Sequence, residues 1–433
     1  MIFLKLVVTT QQVTCMKTKP LIQLREMIAA ALSSMTNLGK SFRTFIIETM
    51  ELYLTSSGRM NFTQMARCSC SCESRFRQNF KKPFDWLSFN RHFLSPMMGH
   101  RIAIGIDPCF IPKAGKKTPG VDWFWSGCAG AIKHGLEILG LSIVDADTKD
   151  AVFLKAEQTF TQKCRGRKPN CTKGMDDPDS LTGWYLRMLC RISKQLLSIC
   201  NLIVADAYFS KESFVSGVKD LGFNIISRFR DDVNLKYLYR GPKARKRGRP
   251  QKFAGKVDLK HLDMDIFKEE YSVDDKLVYK LYTAEVWAVS LGREVRVVIV
   301  DYIDADKKTQ ARKVFFSTDL TLSARDIFDI YRTRFQLEFV FRDAKQFTGL
   351  THCQARNKEA LAFAFNASLS SVNVARAYAR QQGHNLSVGS TKTLLHNAAM
   401  VDRFIAMSAK HANLRLNNTD FKELLFYGVR AVA

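Results

Sequence analysis

The side chains best suited to chemistry occur in residues 331–345, which read YRTRFQLEFVFRDAK. Within this stretch, steps of three, four and seven residues separate Tyr331, Arg334, Glu338 and Lys345. At about 100° per residue, these steps place the four side chains on one face of a helix. That face carries one carboxylate, two cations and a phenol. A solvated, salt-bridged helix surface is the simpler interpretation of the same pattern.

Two more carboxylates follow strand-like runs upstream. The apolar run RIAIGID ends at Asp107, and the apolar part of NLIVADAYFSK ends at Asp206. Short apolar runs bounded by polar or turn residues predict buried strands. Carboxylates at the carboxyl ends of such strands lie where open α/β sheets place their sites, although a helix N-cap explains either aspartate alone equally well. With Glu338 they would supply three hard oxygen ligands, enough for two divalent ions about 4 Å apart that act at phosphorus.

The order Asp107, Asp206, then Glu338 inside a Tyr-x2-Arg-x3-Glu-x6-Lys string resembles the DDE transposases of bacterial insertion sequences. In particular, it resembles the cut-and-paste group defined by that Tyr-Arg-Glu-Lys signature, over roughly residues 100–380. The resemblance implies a ribonuclease H-like fold. It also implies that the three carboxylates are catalytic and bind two Mg²⁺ ions, for which Mn²⁺ can substitute.

The resemblance implies roles for other residues as well. Tyr331, Arg334 and Lys345 would contact the phosphates and the displaced base near the cut. A β insertion in this family can supply an aromatic ring that holds a flipped base, and Trp287 is the only tryptophan in the corresponding segment. Packing within a strand is the simpler role for Trp287. The C-terminal helices would help to pair two protomers, so a homodimer is expected in the synaptic complex.

The predicted fold is α/β, with a ribonuclease H-like core interrupted by a β-rich insertion and flanked by helical N-terminal and C-terminal regions. Strand-like segments within residues 101–160, a helical segment at 180–200 and a strand at 223–230 support this order. The predicted parts are an N-terminal DNA-binding region (1–98), the first part of the core (99–230), a basic loop with the β insertion (231–312), the second part of the core with the Glu338 helix (313–380) and a C-terminal helical region (381–433).

Residues 60–82 have the outline of a helix-turn-helix. A short helix follows Asn61, a turn runs through three cysteines, and a second helix starts at Glu73. Arg75 and Arg77 would lie near the start of that second helix, where recognition helices reach base edges. An ordinary helical hairpin with a basic surface is the alternative, and the turn contains no glycine.

A second basic element spans residues 236–252, which hold eight Lys or Arg and no acid. Its centre, with Arg247 and Arg249 on either side of a glycine, resembles a hook that lies in a narrow minor groove. A disordered basic loop that attracts phosphates without specificity is the alternative.

The overall charge favours a polyanionic partner. The chain has 66 Lys and Arg against 41 Asp and Glu, a net charge of +25. Each phosphate that such a surface neutralises releases counterions, so double-stranded DNA at element ends and target sites is the expected partner.

Cysteine usage and hydropathy predict the compartment. Eleven cysteines, scattered along 433 residues, favour reduced thiols rather than a disulfide framework. The apolar start is eight residues long, too short for a membrane span. We therefore expect a cytoplasmic bacterial protein without membrane contact, associated with the nucleoid when bound to DNA.

These features predict a DNA transposase that excises and inserts its own mobile element by hydrolysis and strand transfer, through a hairpin intermediate. Two alternatives remain open at this point. One is a non-catalytic protein that binds element ends, either a decayed transposase or a repressor. The other is a ribonuclease H-like, structure-specific nuclease that cuts DNA without joining it.

Overall fold

A computed structural model describes residues 18–94, 99–115, 117–160, 180–242, 250–274, 277–304, 311–383, 385–407 and 419–429. The chain forms two compact units. The helical unit contains the described residues up to Asn79 and from Val374 onward, and the sheet unit runs from Phe80 to Asn373. The five-part division expected from the sequence is finer than this and stays a prediction.

The α-helices of the described chain are α1 (Lys19–Ser33), α2 (Lys40–Thr55), α3 (Phe62–Arg67), α4 (Glu73–Asn79), α5 (Trp86–Arg91), α6 (Leu181–Leu197), α7 (Glu212–Asp220), α8 (Ala324–Thr333), α9 (Gln336–Gln346), α10 (Lys358–Gln381), α11 (Val388–Met407) and α12 (Thr419–Phe426). The strands are β1 (Ile102–Pro112), β2 (Asp122–Ser126), β3 (Ala131–Asp145), β4 (Asp150–Gln158), β5 (Leu202–Val204), β6 (Asn224–Arg228), β7 (Leu235–Leu238), β8 (Phe253–Lys256), β9 (Lys268–Asp274), β10 (Leu277–Ala288), β11 (Arg293–Asp304) and β12 (Ala311–Ser317). The fold is therefore mixed α/β.

In the helical unit, N-terminal and C-terminal helices share one core. Helix α11 packs against α1 and α2, and α12 packs against α11. Two polar contacts join the segments. The Thr18 amide donates to Asp402 Oδ1 over 2.7 Å, and His396 Nδ1 lies 2.6 Å from the Thr55 carbonyl oxygen. Among the described residues, no helix is both long and apolar enough to cross a membrane.

The strands of the sheet unit form one 12-stranded sheet in the described chain. Its order is β2-β3-β1-β5-β6-β12-β11-β10-β7-β8, with β4 paired to β3 and β9 paired to β10. The pairs β1–β5 and β5–β6 are parallel, and β3 runs antiparallel to β1. Within the strand-like segments predicted for residues 101–160, residues 122–145 form the two strands β2 and β3, because a turn at Gly130 with a φ of 58° reverses the chain.

The strands between residues 235 and 304 continue this sheet. Strand β12 pairs with β6 on one side and with β11 on the other, so β11 and β10 extend the sheet beyond the Asp206 region. The long β10–β11 pair runs without a register shift from Leu277 opposite Asp304 to Ala288 opposite Arg293. The β-rich character predicted for this segment is present.

The two faces of the sheet carry different helices. In β3, Leu139 and Leu141 lie in the same apolar core as Leu186 and Leu189 of α6. Neighbouring residues in a strand point to opposite faces, so Gly140 points away from α6. A β-carbon placed on Gly140 would contact the ring of Phe341, which puts α9 on this second face.

Amide side chains close the outer edge of β4. Asn366 Oδ1 accepts from the Ala156 amide over 2.8 Å, and its Nδ2 donates to the Ala156 carbonyl over 2.9 Å. Asn373 binds both backbone groups of Phe153 in the same way, at 3.0 and 2.8 Å. Asn90 donates to the Leu154 carbonyl over 2.9 Å and accepts from Asn373 over 2.8 Å. These buried amides take the place of a neighbouring strand.

Candidate active site

Asp107 lies in β1, and Asp206 lies two residues beyond the end of the neighbouring parallel strand β5. The parallel β1–β5 register pairs Gly105 with Val204, and each aspartate follows its partner residue by two positions. The predicted proximity of the first two acids is therefore present. Strand β1 does not end at Asp107, however, but continues through Pro108 to Pro112 as the partner of β3. Among the described residues, β5 pairs with β1 only at 104 and 105, so Pro108 interrupts no ladder with β5.

Asp206 also caps a short turn of the chain. It precedes the 3₁₀ turn Ala207–Phe209, and its Oδ1 accepts from the Tyr208 amide over 3.0 Å. The N-cap interpretation is therefore correct for Asp206, but the cap does not remove the carboxylate from the site. The backbone carbonyl of Asp206 is fixed as well, because the Ser227 hydroxyl donates to it over 2.8 Å.

The spacing of residues 331–345 predicted one continuous helix, and this prediction is wrong. Tyr331 lies in α8, whereas Glu338 and Lys345 lie in α9. Between the helices, the amides of Phe335, Leu337 and Glu338 each donate to the carbonyl three residues before, over 3.0 to 3.3 Å. Bonds of this type tighten the backbone relative to an α-helix, so the four side chains do not share a single α-helical arc.

Arg334, at this junction, lies between two of the carboxylates. Its Nη1 is 3.7 Å from Asp107 Oδ1, and its Nη2 donates to Glu338 Oε1 over 3.1 Å. The guanidinium carbon is 6.0 Å from the centre of the Tyr331 ring. The Arg334 side chain is 14% exposed, and its Nε is a buried donor without a hydrogen-bond partner in the described structure. An acceptor such as a phosphate oxygen would satisfy it.

Burial and mutual repulsion disfavour the charged forms of the two aspartates. Burial raises the pKa of Asp107 to about 7; Arg334 opposes this rise, while Asp206 and Glu338 add to it. Burial also raises the pKa of Asp206, and Arg334 again acts in the opposite direction. The pKa of Arg334 is raised, because attraction from Asp107 and its neighbours outweighs burial. In this cluster the three carboxylates Asp107, Asp206 and Glu338 face one guanidinium, that of Arg334, so their negative charge is only partly neutralised.

These carboxylates are of the ligand type that binds divalent metal ions, but their side chains are not arranged as a metal site. Carboxylate oxygens are the ligands that Mg²⁺ selects, and a cation would offset the excess negative charge. In the described part of the chain, however, no three His, Cys, Asp or Glu side chains are grouped closely enough to hold a metal ion. The closely spaced Cys68, Cys70 and Cys72, between α3 and α4, do not form such a metal-binding group either. Metal binding at the acidic cluster would therefore need side-chain rearrangement around Arg334 and Glu338.

Lys345 lies on the same side of β1 as the acidic cluster. Burial raises the pKa of Cys109 to about 11, and the Lys345 ammonium beside it acts in the opposite direction. Because Cys109 is two residues after Asp107, the two side chains point to the same face of β1. The structure thus places Lys345 on the face of β1 that carries Asp107, and its contact with DNA stays a prediction.

The sequence interpretation missed Glu137, a third carboxylate on the central strands. It is 5% exposed and accepts from the Tyr185 hydroxyl over 2.7 Å and from the Thr159 hydroxyl over 2.9 Å. Burial raises its pKa, and its charge contributes to the raised pKa of Asp107. A single acid inside the apolar run LEILGL is the sequence signal that could have revealed it.

The two short N-terminal helices begin where the sequence predicted. The Asn61 side chain accepts from the Gln64 amide at the start of α3, and α4 begins at Glu73. Both arginines of α4 have protein partners. Arg75 lies 3.2 Å from Glu48, while Arg77 forms an ion pair with Glu73. Their contact with DNA stays a prediction.

Trp287 lies in β10, where it pairs with Glu294 and Lys236. The Lys252 ammonium is 3.6 Å from the centre of its ring, and the Phe253 ring centre is 5.7 Å away. Its half-buried ring is thus already in contact with protein groups. The other predicted DNA contacts of this region, Arg247 and Arg249, lie outside the described residues.

Comparison with known proteins gives two family matches. A model described as DDE superfamily endonuclease matches residues 54–269, and a model described as Transposase DDE domain matches residues 190–374. No curated protein matches the chain. Asp107 and Asp206 fall within the first match, and Asp206 and Glu338 fall within the second. Over these residues the chain is therefore similar to DDE superfamily endonucleases and to transposase DDE domains, and this similarity implies an enzyme of the nuclease type.

Proposed function

We propose that this protein is a metal-dependent DNA transposase of the Tyr-Arg-Glu-Lys group that excises and inserts its own mobile element. The observation that carries the proposal is the position of Arg334 between Asp107 and Glu338. Asp206 follows the strand next to that of Asp107. Two partly buried aspartates and a more exposed glutamate, beside an arginine with an unsatisfied donor, suit a reaction at a phosphodiester. The matches to endonuclease and transposase domains support the same reaction class.

Asp107, Asp206 and Glu338 would hold the Mg²⁺ ions, with Mn²⁺ as a substitute. When bound, such ions supply an activated attacking oxygen and stabilise the leaving oxygen at phosphorus. The chain's own contribution is to position the DNA. Arg334 Nε would donate to a phosphate oxygen, and Lys345 would attract a neighbouring phosphate. Tyr331 would pack beside the displaced nucleotide.

One site can serve every step of the proposed reaction, because each step is an in-line displacement at phosphorus. Hydrolysis at the element end would leave a 3′-hydroxyl and a 5′-phosphate. The 3′-hydroxyl would attack the opposite strand and form a hairpin, releasing the flanking DNA. Water would then reopen the hairpin, and the regenerated 3′-hydroxyl would attack target DNA.

Other regions would bind double-stranded DNA around this site. Arg75 and Arg77 of α4 would contact element ends, and Arg247 and Arg249 would enter the minor groove. Trp287 would hold an extruded base once Lys252 moves from its ring. We further propose that two copies of the chain pair in the synaptic complex, on DNA of a bacterial nucleoid.

The test is cleavage of DNA taken from the flanks of the gene, in the presence of Mg²⁺. Wild type is compared with Asp206→Asn and with Asp231→Asn, a matched change at an exposed aspartate paired with Lys313. We expect nicks or hairpins at one defined end from wild type and Asp231→Asn, and none from Asp206→Asn.

Other outcomes would select a rival function. Binding of end DNA without cleavage by any of the three proteins would overturn the enzyme and leave a non-catalytic end-binding protein. Cleavage without transfer of the 3′ end to target DNA would leave a structure-specific nuclease. Cleavage by Asp206→Asn at the wild-type rate would remove Asp206 from the site.

A further inference from the structure

A separate cavity of about 530 Å³ lies at the outer edge of β4. Residues at the start of α5, along α6 and along α10 form its walls. Five aromatic side chains line it: Phe84, Trp86, Phe160, Trp184 and Phe363. Lysines and an arginine line it as well, and the Lys358 ammonium lies 4.6 Å from the centre of the Phe160 ring. Two glutamates line the cavity too, and Glu157 forms ion pairs with Lys155 and Arg191. With five cations against two acids, the lining combines aromatic surfaces with a net positive charge.

Two polar groups in its walls lack partners in the described structure. Gln158 Nε2 donates to the Pro119 carbonyl over 2.7 Å. The other polar atom of this amide, Oε1, is a buried acceptor without a hydrogen bond. Gln158 is 4% exposed. The indole Nε1 of Trp184 is a buried donor, also without a bond. Because leaving buried polar groups unsatisfied is unfavourable, a ligand that offers one donor and one acceptor would bind favourably.

We propose that this cavity is a binding pocket for one unpaired nucleotide. A nucleobase has flat faces that stack on aromatic rings and an edge that carries both donors and acceptors. Its phosphate carries the negative charge that the lysines attract. Pockets of about 300–1,000 Å³ hold ligands of this size.

The position of the pocket favours a nucleotide of bound DNA over a free nucleotide. In the sheet register, Asp107 pairs with Gly140 and Gly140 pairs with Ala156, which lines the pocket. Strands are about 4.8 Å apart, so Ala156 lies about 10 Å from the Asp107 backbone. Paired residues point to the same face, so Ala156 and Gln158 lie on the face of the sheet that carries Asp107. Helix α6, which packs on the opposite face, contributes Trp184 around the edge of β4. This inference does not depend on the cleavage reaction proposed above.

The first measurement is binding by the full-length protein in EDTA, with deoxyadenosine monophosphate as the free probe. The DNA probes are a blunt duplex and the same duplex with one unpaired 3′ adenosine. The key variant is Trp184→Phe, which keeps an aromatic ring but removes the indole donor. Trp125→Phe is the matched control, because this tryptophan is exposed on β2.

We expect wild type and Trp125→Phe to bind the duplex with the unpaired nucleotide at least tenfold more tightly than the blunt duplex. In Trp184→Phe this preference should disappear, while circular dichroism stays that of wild type. Saturable binding of the free mononucleotide without a preference among duplexes would identify a free nucleotide as the ligand. Gln158→Leu should weaken whichever probe binds, which provides a second variant if Trp184→Phe does not fold.

Two results would overturn the pocket. One is absence of saturable binding for both the mononucleotide and the unpaired duplex. The other is equal binding by wild type and both pocket variants. Asp206→Asn should keep the nucleotide preference of wild type. Loss of cleavage and loss of nucleotide binding therefore report on different proposals.

Discussion

Gly140 of β3 lies against the ring of Phe341 on α9, and a β-carbon at position 140 would be 2.5 Å from the ring's Cζ. Phe341 is 5% exposed, so its ring has little room to move. Gly140 is the register partner of Asp107, and Phe341 follows Glu338 by one helical turn. The missing side chain therefore sets how closely the Glu338 helix approaches the Asp107 strand.

Gly140→Ala should separate α9 from β1. Overpacking of this kind costs about 1–3 kcal/mol, and cleavage should fall further than that loss of stability explains, because Glu338 moves with α9. Thermal unfolding and the rate of end cleavage measure the two effects. Gly127→Ala is the control, since a β-carbon there meets nothing within 4 Å. Equal cleavage rates for the two variants would show that the approach of α9 is not limiting.

Arg334→Lys should reduce end cleavage by about 100-fold or more, the usual size of losing one well-positioned donor. The guanidinium of Arg334 reaches Asp107 and Glu338 with its two Nη atoms and leaves Nε for a phosphate. A single ammonium group cannot make all of these contacts. Single-turnover cleavage measures the change. Arg325→Lys is the control, because that arginine is 63% exposed and pairs with Asp329 on the surface. A wild-type rate in Arg334→Lys would mean that charge alone suffices there.

Asn373→Leu should lower the stability of the protein by about 2–4 kcal/mol. The change leaves the buried N–H and C=O groups of Phe153 without hydrogen-bond partners. It also removes the buried amide that donates to Asn90. Thermal unfolding monitored by circular dichroism measures the loss. The exposed Asn201 provides the matched Asn201→Leu control, which should unfold with wild type. If both variants unfold together, the amide bonds to β4 contribute nothing.

Lys392 gives the stability of the protein a dependence on alkaline pH. Burial lowers its pKa from 10.5 to about 8, so the folded chain releases this proton before the unfolded chain does. The resulting penalty is complete below pH 8 and disappears as the pH rises to 10.5. Lys392→Met should therefore raise the unfolding temperature at pH 7, and its advantage over wild type should shrink by pH 10. A difference that is constant across this range would contradict the lowered pKa.

The strands before Asp107 and Asp206 were predictable, because an apolar run precedes each residue. That the two strands are neighbours was expected only from the ribonuclease H-like fold that the resemblance implies. The start of α4 at Glu73 was predictable as well. Local sequence could not reveal the break between α8 and α9, because residues 331–345 all tolerate a helix. The ion pairs of Arg334 with Asp107 and Glu338 lie at this break, and Asp107 comes from a strand more than 200 residues away.

The amide edge of β4 shows a second limit of local reasoning. Asn366 and Asn373 are seven residues apart, so their shared helix face was visible in the sequence. Their partners were not, since Ala156 and Phe153 lie 210 and 220 residues earlier. The same limit applies to β12, which was readable as a strand but not as the partner of β6.

The amides of Asn366, Asn373 and Asn90 have one more consequence. An uncovered strand edge is a template on which a second polypeptide can add its own strand, the route to domain exchange and fibril growth. The backbone groups of Phe153, Leu154 and Ala156 that such a strand would need are already bonded. Copies of this chain that come close together would therefore be protected from polymerising through this edge of the sheet.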